Sequence, residues 1–448
     1  MRSPRPRMVN GAERHCARRG DAMTPGHPNT NHAKVETAPT TRFLGSILFL
    51  MFVMNMIGRG VTETFAVFLL PVEQALQATR SEMLLTYAIF NLVYGLAAPF
   101  AGVLIDRAGP RAAYTLGLTT LGCGYLLAGS ATKLSIYYLG VGVMGGLGAA
   151  SLGMVVASSI MSRWFERRLG AVMSVPYAAL GAGMLLIPPA TQLLMEQMAW
   201  GQAYQVLGLC VLAILPIVLL LPLKRVGAGS DGWRAKREAA AGGCVSGWTL
   251  RQAARTLAFW RLFCAYFVTS IASYAVAPQM VAYLVEQGHD RLLAASAFGM
   301  TGACSAIGIV AMGAMSDRIG RRRTALISYA SSIAGVLALI SVALLQTFWP
   351  VYGFILLFGL MQGVRGPIIL ALVATLFRGG SVGSIFGALT LAPGLGAAFG
   401  AWGSGYLHDL TGGYAASFSL GIAGSVTGMM LFWLLPRVGD ETEVLPVV

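Results

Sequence analysis

Three ionisable side chains stand inside long apolar stretches of the chain, where a charge is costly. Arg59 and Glu63 lie four residues apart, and Arg365 lies in a second stretch far downstream. A charge at mid-bilayer costs about 2.5–3.5 kcal/mol on insertion scales, so such residues are functional candidates by default. A guanidinium forms paired hydrogen bonds with a carboxylate. The pattern therefore predicts a buried binding site for a small organic anion.

Arg365 is the first candidate for that site. It lies roughly 22 Å from one end of its predicted helix and roughly 18 Å from the other, at 1.5 Å per residue, so its side chain is too central to reach water easily. Gly363, Gly366 and Pro367 loosen the helix around it, as irregular backbone does beside binding sites within membranes. The alternative interpretation is a buried tether between helices.

Arg59 and Glu63 predict either a self-neutralising pair or a second contact for the anion. The spacing of four residues places both on one helix face, although an arginine that precedes a glutamate is the weaker order for such a pair. If the pair opens, Arg59 can hold the substrate. A carboxylate in a cavity of low dielectric constant also binds a proton readily, so Glu63 is a candidate carrier of a coupling proton.

The elements that must position these residues are membrane-spanning helices. Of the 448 residues, 56% are hydrophobic and 11% are charged, whereas soluble domains carry about 25% charged residues. A spanning helix needs about 20 apolar residues. Twelve runs meet that requirement, at 43–70, 81–105, 112–131, 134–162, 170–194, 203–222, 259–285, 292–315, 324–346, 350–377, 381–407 and 414–436.

The twelve runs divide into two sets of six. A polar tail (1–42) precedes the first bundle (43–222), a polar linker (223–258) separates it from the second bundle (259–436), and a short tail (437–448) follows. The first tail lacks the apolar centre of a signal peptide and is predicted to be a disordered cytosolic segment. The predicted fold is an all-α membrane protein of two pseudo-symmetric six-helix bundles.

Basic residues concentrate on one predicted side of the membrane. With the N-terminus in the cytosol, 27 of the 32 Lys and Arg residues fall inside, three fall outside and two lie within the membrane. Cytosolic loops carry such an excess. The distribution predicts a multi-pass protein of the cell membrane, plasma or inner, with both termini cytosolic. It also explains the net charge of +14 without any need for nucleic acid.

Metal, redox and nucleotide chemistry have no support in the sequence. The six cysteines and five histidines are scattered, with no metal-ligand or redox spacing. There is no G-x-x-x-x-G-K-[ST] loop for a nucleotide. A membrane-embedded enzyme would need several convergent acid, base or metal groups. We therefore expect no cofactor, no metal and no enzymatic activity.

Two charged motifs mark short connections between spans. The first is Gly102-Val-Leu-Ile-Asp-Arg-Ala-Gly-Pro-Arg111, and the second, Gly313-Ala-Met-Ser-Asp-Arg-Ile-Gly-Arg321, begins 211 residues later. The repeat indicates a duplicated unit. An acid at a helix end can face the positive N-terminus of a neighbouring helix, which predicts a latch on the cytosolic side. The predicted latch residues are Gly102, Asp106, Arg107, Gly109, Arg111, Gly313, Asp317, Arg318, Gly320 and Arg321.

Two six-helix sets, a polar linker and the paired G-x-x-x-D-R-x-G-x-R hairpins together resemble the major facilitator superfamily, over about residues 43–436. Three further stretches are similar to the branch of monocarboxylate transporters and oxalate/formate antiporters. They are 65–71 (FAVFLLP), 164–171 (WFERRLGA) and 405–414 (GYLHDLTGGY).

The resemblance implies partners for both latch acids. Asp106 would face the start of helix 11 near Ser381, and Asp317 would face the start of helix 5 near Leu169. Pro110 stands where the family usually has a basic residue, so the second motif is the better-formed latch.

The resemblance also implies that helices 1, 4, 7 and 10 line a central cavity. Gln279 and Tyr274 of helix 7 are then further polar contacts, and Asn91 and Tyr94 of helix 2 are weaker ones. Glu63 stands where monocarboxylate transporters usually have a lysine, and predicted helices 8 and 11 lack that branch's charged residues. Anion recognition through that lysine is therefore not expected here.

The combined prediction is a secondary active transporter that moves a small organic anion, a carboxylate in the first place, by alternating access. Symport with a proton is one form of coupling that the sequence allows, and antiport is the other. The alternative is efflux or exchange of amphipathic metabolites or drugs, which the 21 methionines keep open. The predicted partners are the anion, the proton and the lipid bilayer, and the expected working unit is a monomer.

Overall fold

The computed structural model describes residues 41–165, 169–230, 250–377 and 382–434, and every regular element within these ranges is helical. The predicted all-α membrane fold is confirmed. The helices are α1 (Thr41–Glu63 and Phe65–Leu76), α2 (80–108), α3 (110–129), α4 (Leu134–Trp164), α5 (Leu169–Gln197), α6 (Trp200–Leu220), α7 (Leu257–Glu286), α8 (Arg291–Ile319), α9 (Arg321–Leu345), α10 (Trp349–Gln362 and Arg365–Leu376), α11 (Val382–Leu389 and Leu391–Thr411) and α12 (Tyr414–Trp433).

Nine stretches of the described chain are long and apolar enough to cross a membrane. One of them, Arg80–Gly129, has 50 residues, and a helix of that length would measure about 75 Å against a hydrocarbon core of about 30 Å. Gly109 resolves the mismatch, because its backbone is non-helical and breaks the run into α2 and α3. The stretch is therefore two crossings joined at a tight turn.

Gly109 and Gly320 give the two hairpin motifs the same backbone turn. Their φ angles are 81° and 91°, a region that glycine enters without steric cost. They stand 211 residues apart, at equivalent positions of the two motifs. We call the side of the bundle that holds these two turns the hairpin face, and the other side the opposite face.

The same offset relates interruptions in four helices. α1 is interrupted at Thr64 and α4 at Gly153, while α7 is interrupted from Ala275 and α10 at residues 363–364. A step of 211 residues leads from Thr64 to Ala275 and from Gly153 to Val364. The duplication therefore extends to the backbone itself. Helices α1–α6 and α7–α12 are two structurally equivalent halves.

α4 and α10 share a second irregularity. Each contains a π-helical segment, Tyr138–Met144 in α4 and Ile355–Gly359 in α10. π-Helical turns are rare in proteins, and those that occur are often found at functional sites. Such turns and breaks leave backbone N–H and C=O groups without their helical hydrogen-bond partners. In a membrane, these groups are tolerated only where protein or a water-filled cavity surrounds them.

Glycine contacts join the two halves. Between α5 and α8, a Cβ on Gly181 would lie 2.4 Å from the carbonyl oxygen of Gly302. Between α2 and α11, a Cβ on Gly95 would lie 3.3 Å from the Cα of Gly394. Small residues allow this close approach of backbones in a membrane, where no hydrophobic effect drives helices together.

Gly308 of α8 provides a test of how tightly the helices pack. A Cβ there would lie 1.8 Å from the carbonyl oxygen of Leu360 in α10, so Gly308→Ala must push the two helices apart. We expect a stability loss of about 1–3 kcal/mol, measured as a lower melting temperature in detergent. Gly45→Ala is the matched control, because nothing lies within 4 Å of that position. An unchanged melting temperature for Gly308→Ala would contradict the packing.

Candidate substrate site

A polar cluster lies where α1, α2 and α7 meet. Arg59 Nη2 donates to Glu63 Oε1 at 2.9 Å and to Tyr274 Oη at 3.1 Å. Tyr87 Oη donates to the second Glu63 oxygen at 3.0 Å, and the Tyr94 ring faces the guanidinium with its centroid 5.3 Å from Cζ. Arg59 and Glu63 belong to the first half and Tyr274 to the second. The cluster therefore bridges the halves.

Arg59, near the middle of α1, keeps a small exposed fraction, whereas Glu63 is buried. The side chain of Arg59 is 13% exposed and that of Glu63 is 9% exposed. The structure shows the ion pair expected from the four-residue spacing, and it places Tyr274 and Tyr94 of the predicted set against the same guanidinium. An arginine in this setting can exchange its carboxylate partner for an incoming anion.

Arg365 lies elsewhere, packed against α9. It is 1% exposed, and its guanidinium donates to Ser328 Oγ at 3.1 Å, to the Ser328 carbonyl oxygen at 2.9 Å and to Ser332 Oγ. The Tyr329 ring covers it, 4.2 Å from Cζ. These contacts correspond to the tether alternative, because every one of them joins α10 to α9.

Gln279 and Asn91 are also enclosed by protein. Gln279 is fully buried and donates to Ser404 Oγ of α11 at 2.8 Å. Asn91 is 3% exposed and donates to the carbonyl oxygen of Tyr87 at 2.8 Å. Of the seven predicted binding residues, the structure thus brings together Arg59, Glu63, Tyr274 and Tyr94, and places Arg365, Gln279 and Asn91 in separate packing contacts.

Tyr87 is a member of the cluster that sequence reasoning missed. A signal for it was present, because Tyr87 and Tyr94 are seven residues apart and so lie on one face of α2, two turns from each other. Its ring also packs against Phe65 at 4.9 Å and Phe90 at 5.7 Å between centroids. This packing fixes the hydroxyl that holds Glu63.

A second ionic cluster, which we call the opposite-face lock, joins the halves at the opposite face. Arg80 is 3% exposed, and its guanidinium pairs with Glu73 of α1 at 2.9 Å and with Glu286 of α7 at 2.6 Å. The carboxylate of Asp409, in α11, accepts from the backbone N–H groups of Arg80 at 3.1 Å and Ser81 at 2.8 Å. An acid at the N-terminus of α2 is favoured by the helix dipole. The two hydrogen bonds to Asp409 and the Arg80–Glu286 ion pair all join the first half to the second.

The first hairpin motif makes contacts within its own half. Asp106 pairs with Arg163 of α4 at 2.5 Å, and Arg163 also donates to the carbonyl oxygen of Gly227 at 2.9 Å. Arg111 donates to the carbonyl oxygen of Leu221 at 3.1 Å. The motif therefore holds the end of α4 and the short helix Leu223–Ala228 that follows α6. Arg107 of the same motif is exposed.

The predicted latch partners fall largely outside what the structure describes. Ser381, the expected acceptor region for Asp106, is not among the described residues, and neither are the side chains of Asp317 and Leu169. Of the second motif, Arg318 is exposed at the end of α8 and Arg321 is half-buried at the start of α9. The latch stays a prediction.

Comparison with known proteins identifies the family. The model of the Major Facilitator Superfamily matches residues 48–303 and 262–446. The chain belongs to the major facilitator superfamily. Its relatives include monocarboxylate transporter 13 of Bos taurus, 27% identical over 379 residues that cover 84% of this chain and 86% of that protein. Monocarboxylate transporter 11 of Homo sapiens is 28% identical over 361 residues, covering 78% and 74%.

A bacterial relative shows that the similarity is not confined to mammals. The uncharacterized MFS-type transporter YcxA of Bacillus subtilis (strain 168) is 24% identical over 398 residues, which cover 85% of this chain and 91% of that protein. Membership of the superfamily makes this chain a multi-pass membrane transporter related to monocarboxylate transporters, and not an enzyme. Both the fold and the resemblance predicted from the hairpins are thereby confirmed.

Proposed function

We propose that this protein is a secondary active transporter of a small organic anion, a monocarboxylate, that is held by Arg59. The observation that carries the proposal is a partly exposed guanidinium, near the middle of α1, that contacts both halves, through Glu63 on one side and Tyr274 on the other. The named relatives that are monocarboxylate transporters support the same class of cargo. Arg365 serves this proposal as a tether that fixes α10 to α9.

The charge balance of the cluster supports proton coupling. Arg59 and Glu63 together are neutral, so an anion that displaces Glu63 from the guanidinium leaves one negative charge in a poorly solvated place. A proton on Glu63 restores neutrality. Tyr87, which donates to Glu63 at 3.0 Å, keeps the carboxyl group in place while its partner changes. The cluster is thus suited to move one proton with one anion.

The contacts between the halves support alternating access as the proposed transport cycle. The opposite-face lock joins α2 of the first half to α7 and α11 of the second, and the substrate cluster also contains a bond between halves. A rocking movement must break the lock to open the opposite face. The excess of Lys and Arg on the hairpin side supports an orientation with that face, and both termini, in the cytosol. The lock is then extracellular or periplasmic in this proposal.

Glu63→Gln tests the coupling role. The amide keeps a similar shape beside Arg59 and Tyr87 but cannot take up a proton to balance the anion. In proteoliposomes, a pH difference of one unit is worth about 1.4 kcal/mol per proton, so wild-type protein should accumulate a carboxylate up to about tenfold. The variant should lose this accumulation and keep counterflow exchange. Accumulation equal to that of the wild type would contradict the role of Glu63.

Counterflow also tests the proposed function as a whole. Purified protein is reconstituted in vesicles loaded with an unlabelled carboxylate, and entry of the labelled acid is followed. A transporter of this class gives a transient overshoot of label. The absence of an overshoot with every mono- and dicarboxylate tried, from a preparation that retains its fold, would reject the proposal.

A further inference from the structure

Two tyrosines contact Arg59, and two more lie near them. Tyr94 of α2, Tyr177 of α5, and Tyr266 and Tyr274 of α7 are each half-buried. By contrast, several other tyrosines of the bundle are at most 1% exposed, namely Tyr114, Tyr125, Tyr137, Tyr204 and Tyr329. The Tyr266 hydroxyl lies within electrostatic range of the other three phenols. Partial exposure of phenols that come from both halves is what the lining of a passage between the halves requires.

The phenols extend from one broken helix to another. A Cβ on Gly153, where α4 is interrupted, would lie 3.2 Å from the Tyr94 hydroxyl. A Cβ on Gly366, just beyond the interruption of α10, would lie 3.3 Å from the Tyr266 hydroxyl. These glycines leave room for the phenols at the two walls. We call Tyr94, Tyr177, Tyr266 and Tyr274 the tyrosine ring.

The charged residues next to the tyrosine ring can balance one carboxylate of a substrate. Among the described residues, Arg59 is the one cation in contact with any of the four phenols. Glu63 already occupies one side of its guanidinium at 2.9 Å. When a substrate carboxylate displaces Glu63 it uses this one cation, so a second carboxylate on the same substrate would have none of its own. A charge left unpaired in a poorly solvated place is costly.

From these observations we propose that the substrate is an aromatic monocarboxylate. The carboxylate binds Arg59, and the aromatic ring lies among the phenols, where offset or edge-to-face contacts contribute about 0.5–1.5 kcal/mol beyond buried area. Phenol hydroxyls at the rim can also bond a polar ring substituent. This inference rests on the proposed function, since it names the cargo of the same site.

A ligand series on the wild-type protein tests the inference. Competition for counterflow is measured with benzoate, with cyclohexanecarboxylate of nearly equal size, with terephthalate, which adds a second carboxylate, and with benzamide, which has no charge. Benzoate should compete about two- to tenfold more strongly than cyclohexanecarboxylate, the ratio that corresponds to the aromatic contribution. Terephthalate and benzamide should compete more weakly than benzoate.

Variants of the tyrosine ring sharpen the test. Tyr177→Leu and Tyr266→Leu should bring the ratio of benzoate to cyclohexanecarboxylate towards one. Tyr406→Leu is the matched control, because Tyr406 is 48% exposed and stacks on Trp402 of the same helix, and it should leave the ratio unchanged. Since the ligand series needs no variant, a Leu substitution that fails to fold leaves the inference testable.

Each outcome bears on a different statement. Equal competition by benzoate and cyclohexanecarboxylate, with transport still dependent on Arg59, overturns the aromatic cargo and leaves the proposed function standing. Benzamide as strong as benzoate overturns both and favours transport of uncharged amphipathic compounds. Failure of every carboxylate to compete rejects the proposed function itself.

Discussion

Arg59→Gln is expected to reduce carboxylate counterflow at least about 100-fold. The substitution removes the one guanidinium that contacts both Glu63 and Tyr274, and the loss of one partner of a buried ion pair costs about 3–5 kcal/mol. Glutamine can still donate a hydrogen bond, but it cannot balance the charge of the substrate. The measurement is the initial rate of counterflow in proteoliposomes, normalised to the amount of inserted protein.

Two further variants separate binding from folding. Arg59→Gln leaves Glu63 buried without its cation, so the single variant should also melt at a lower temperature. The double variant Arg59→Gln/Glu63→Gln removes both charges and should regain stability but not transport. Arg365→Lys should lower the melting temperature, because a lysine cannot reproduce the planar contacts to Ser328 and Ser332. If Arg365→Lys instead abolishes transport at unchanged stability while Arg59→Gln transports, the anion binds on α10.

Arg80→Gln is expected to open the opposite face. Without the arginine, the carboxylates of Glu73 and Glu286 lose the cation that each contacts, and the bond between α2 and α7 is lost. A cysteine at Leu84 reports the change, because Leu84 is fully buried and lies against Gly405 of α11 beneath the lock. In a background without native cysteines, labelling by a membrane-impermeant maleimide should accelerate about tenfold or more, which corresponds to about 1.4 kcal/mol of population shift.

The control for Arg80→Gln is a second arginine near the same face. Arg291, at the start of α8, is exposed, so Arg291→Gln changes the local charge equally without touching the lock. It should leave the labelling rate of the cysteine at position 84 unchanged. Equal rates for Arg80→Gln and Arg291→Gln would show that the ionic cluster does not hold the halves together.

Much of the fold could be predicted because its signals are local. Long apolar runs, the two hairpin motifs and their separation of 211 residues each depend on short stretches of sequence. The Arg59–Glu63 pair was accessible to prediction for the same reason, since a spacing of four residues fixes a common helix face. Tertiary structure was not needed for any of these inferences.

The features that could not be predicted from the sequence depend on tertiary packing, that is, on which helices contact each other. Arg365 looks the same in sequence whether it faces a cavity or α9, and the decision rests on Ser328, Tyr329 and Ser332, which are more than thirty residues away. Arg80 is one of the three basic residues that are predicted to lie on the outer side of the membrane. Its partner Glu286 is 206 residues distant, and no local pattern connects the two.

The glycine contacts between halves have a mechanical consequence. Gly95 lies about 20 Å from each end of α2 at 1.5 Å per residue, and Gly181 and Gly302 also lie towards the middle of their helices. Two helices that touch at mid-length behave as rigid rods that pivot about the contact. Separation of the rod ends on one side must bring the ends on the other side together, so an open passage through both faces at once is disfavoured by geometry before any charge is considered.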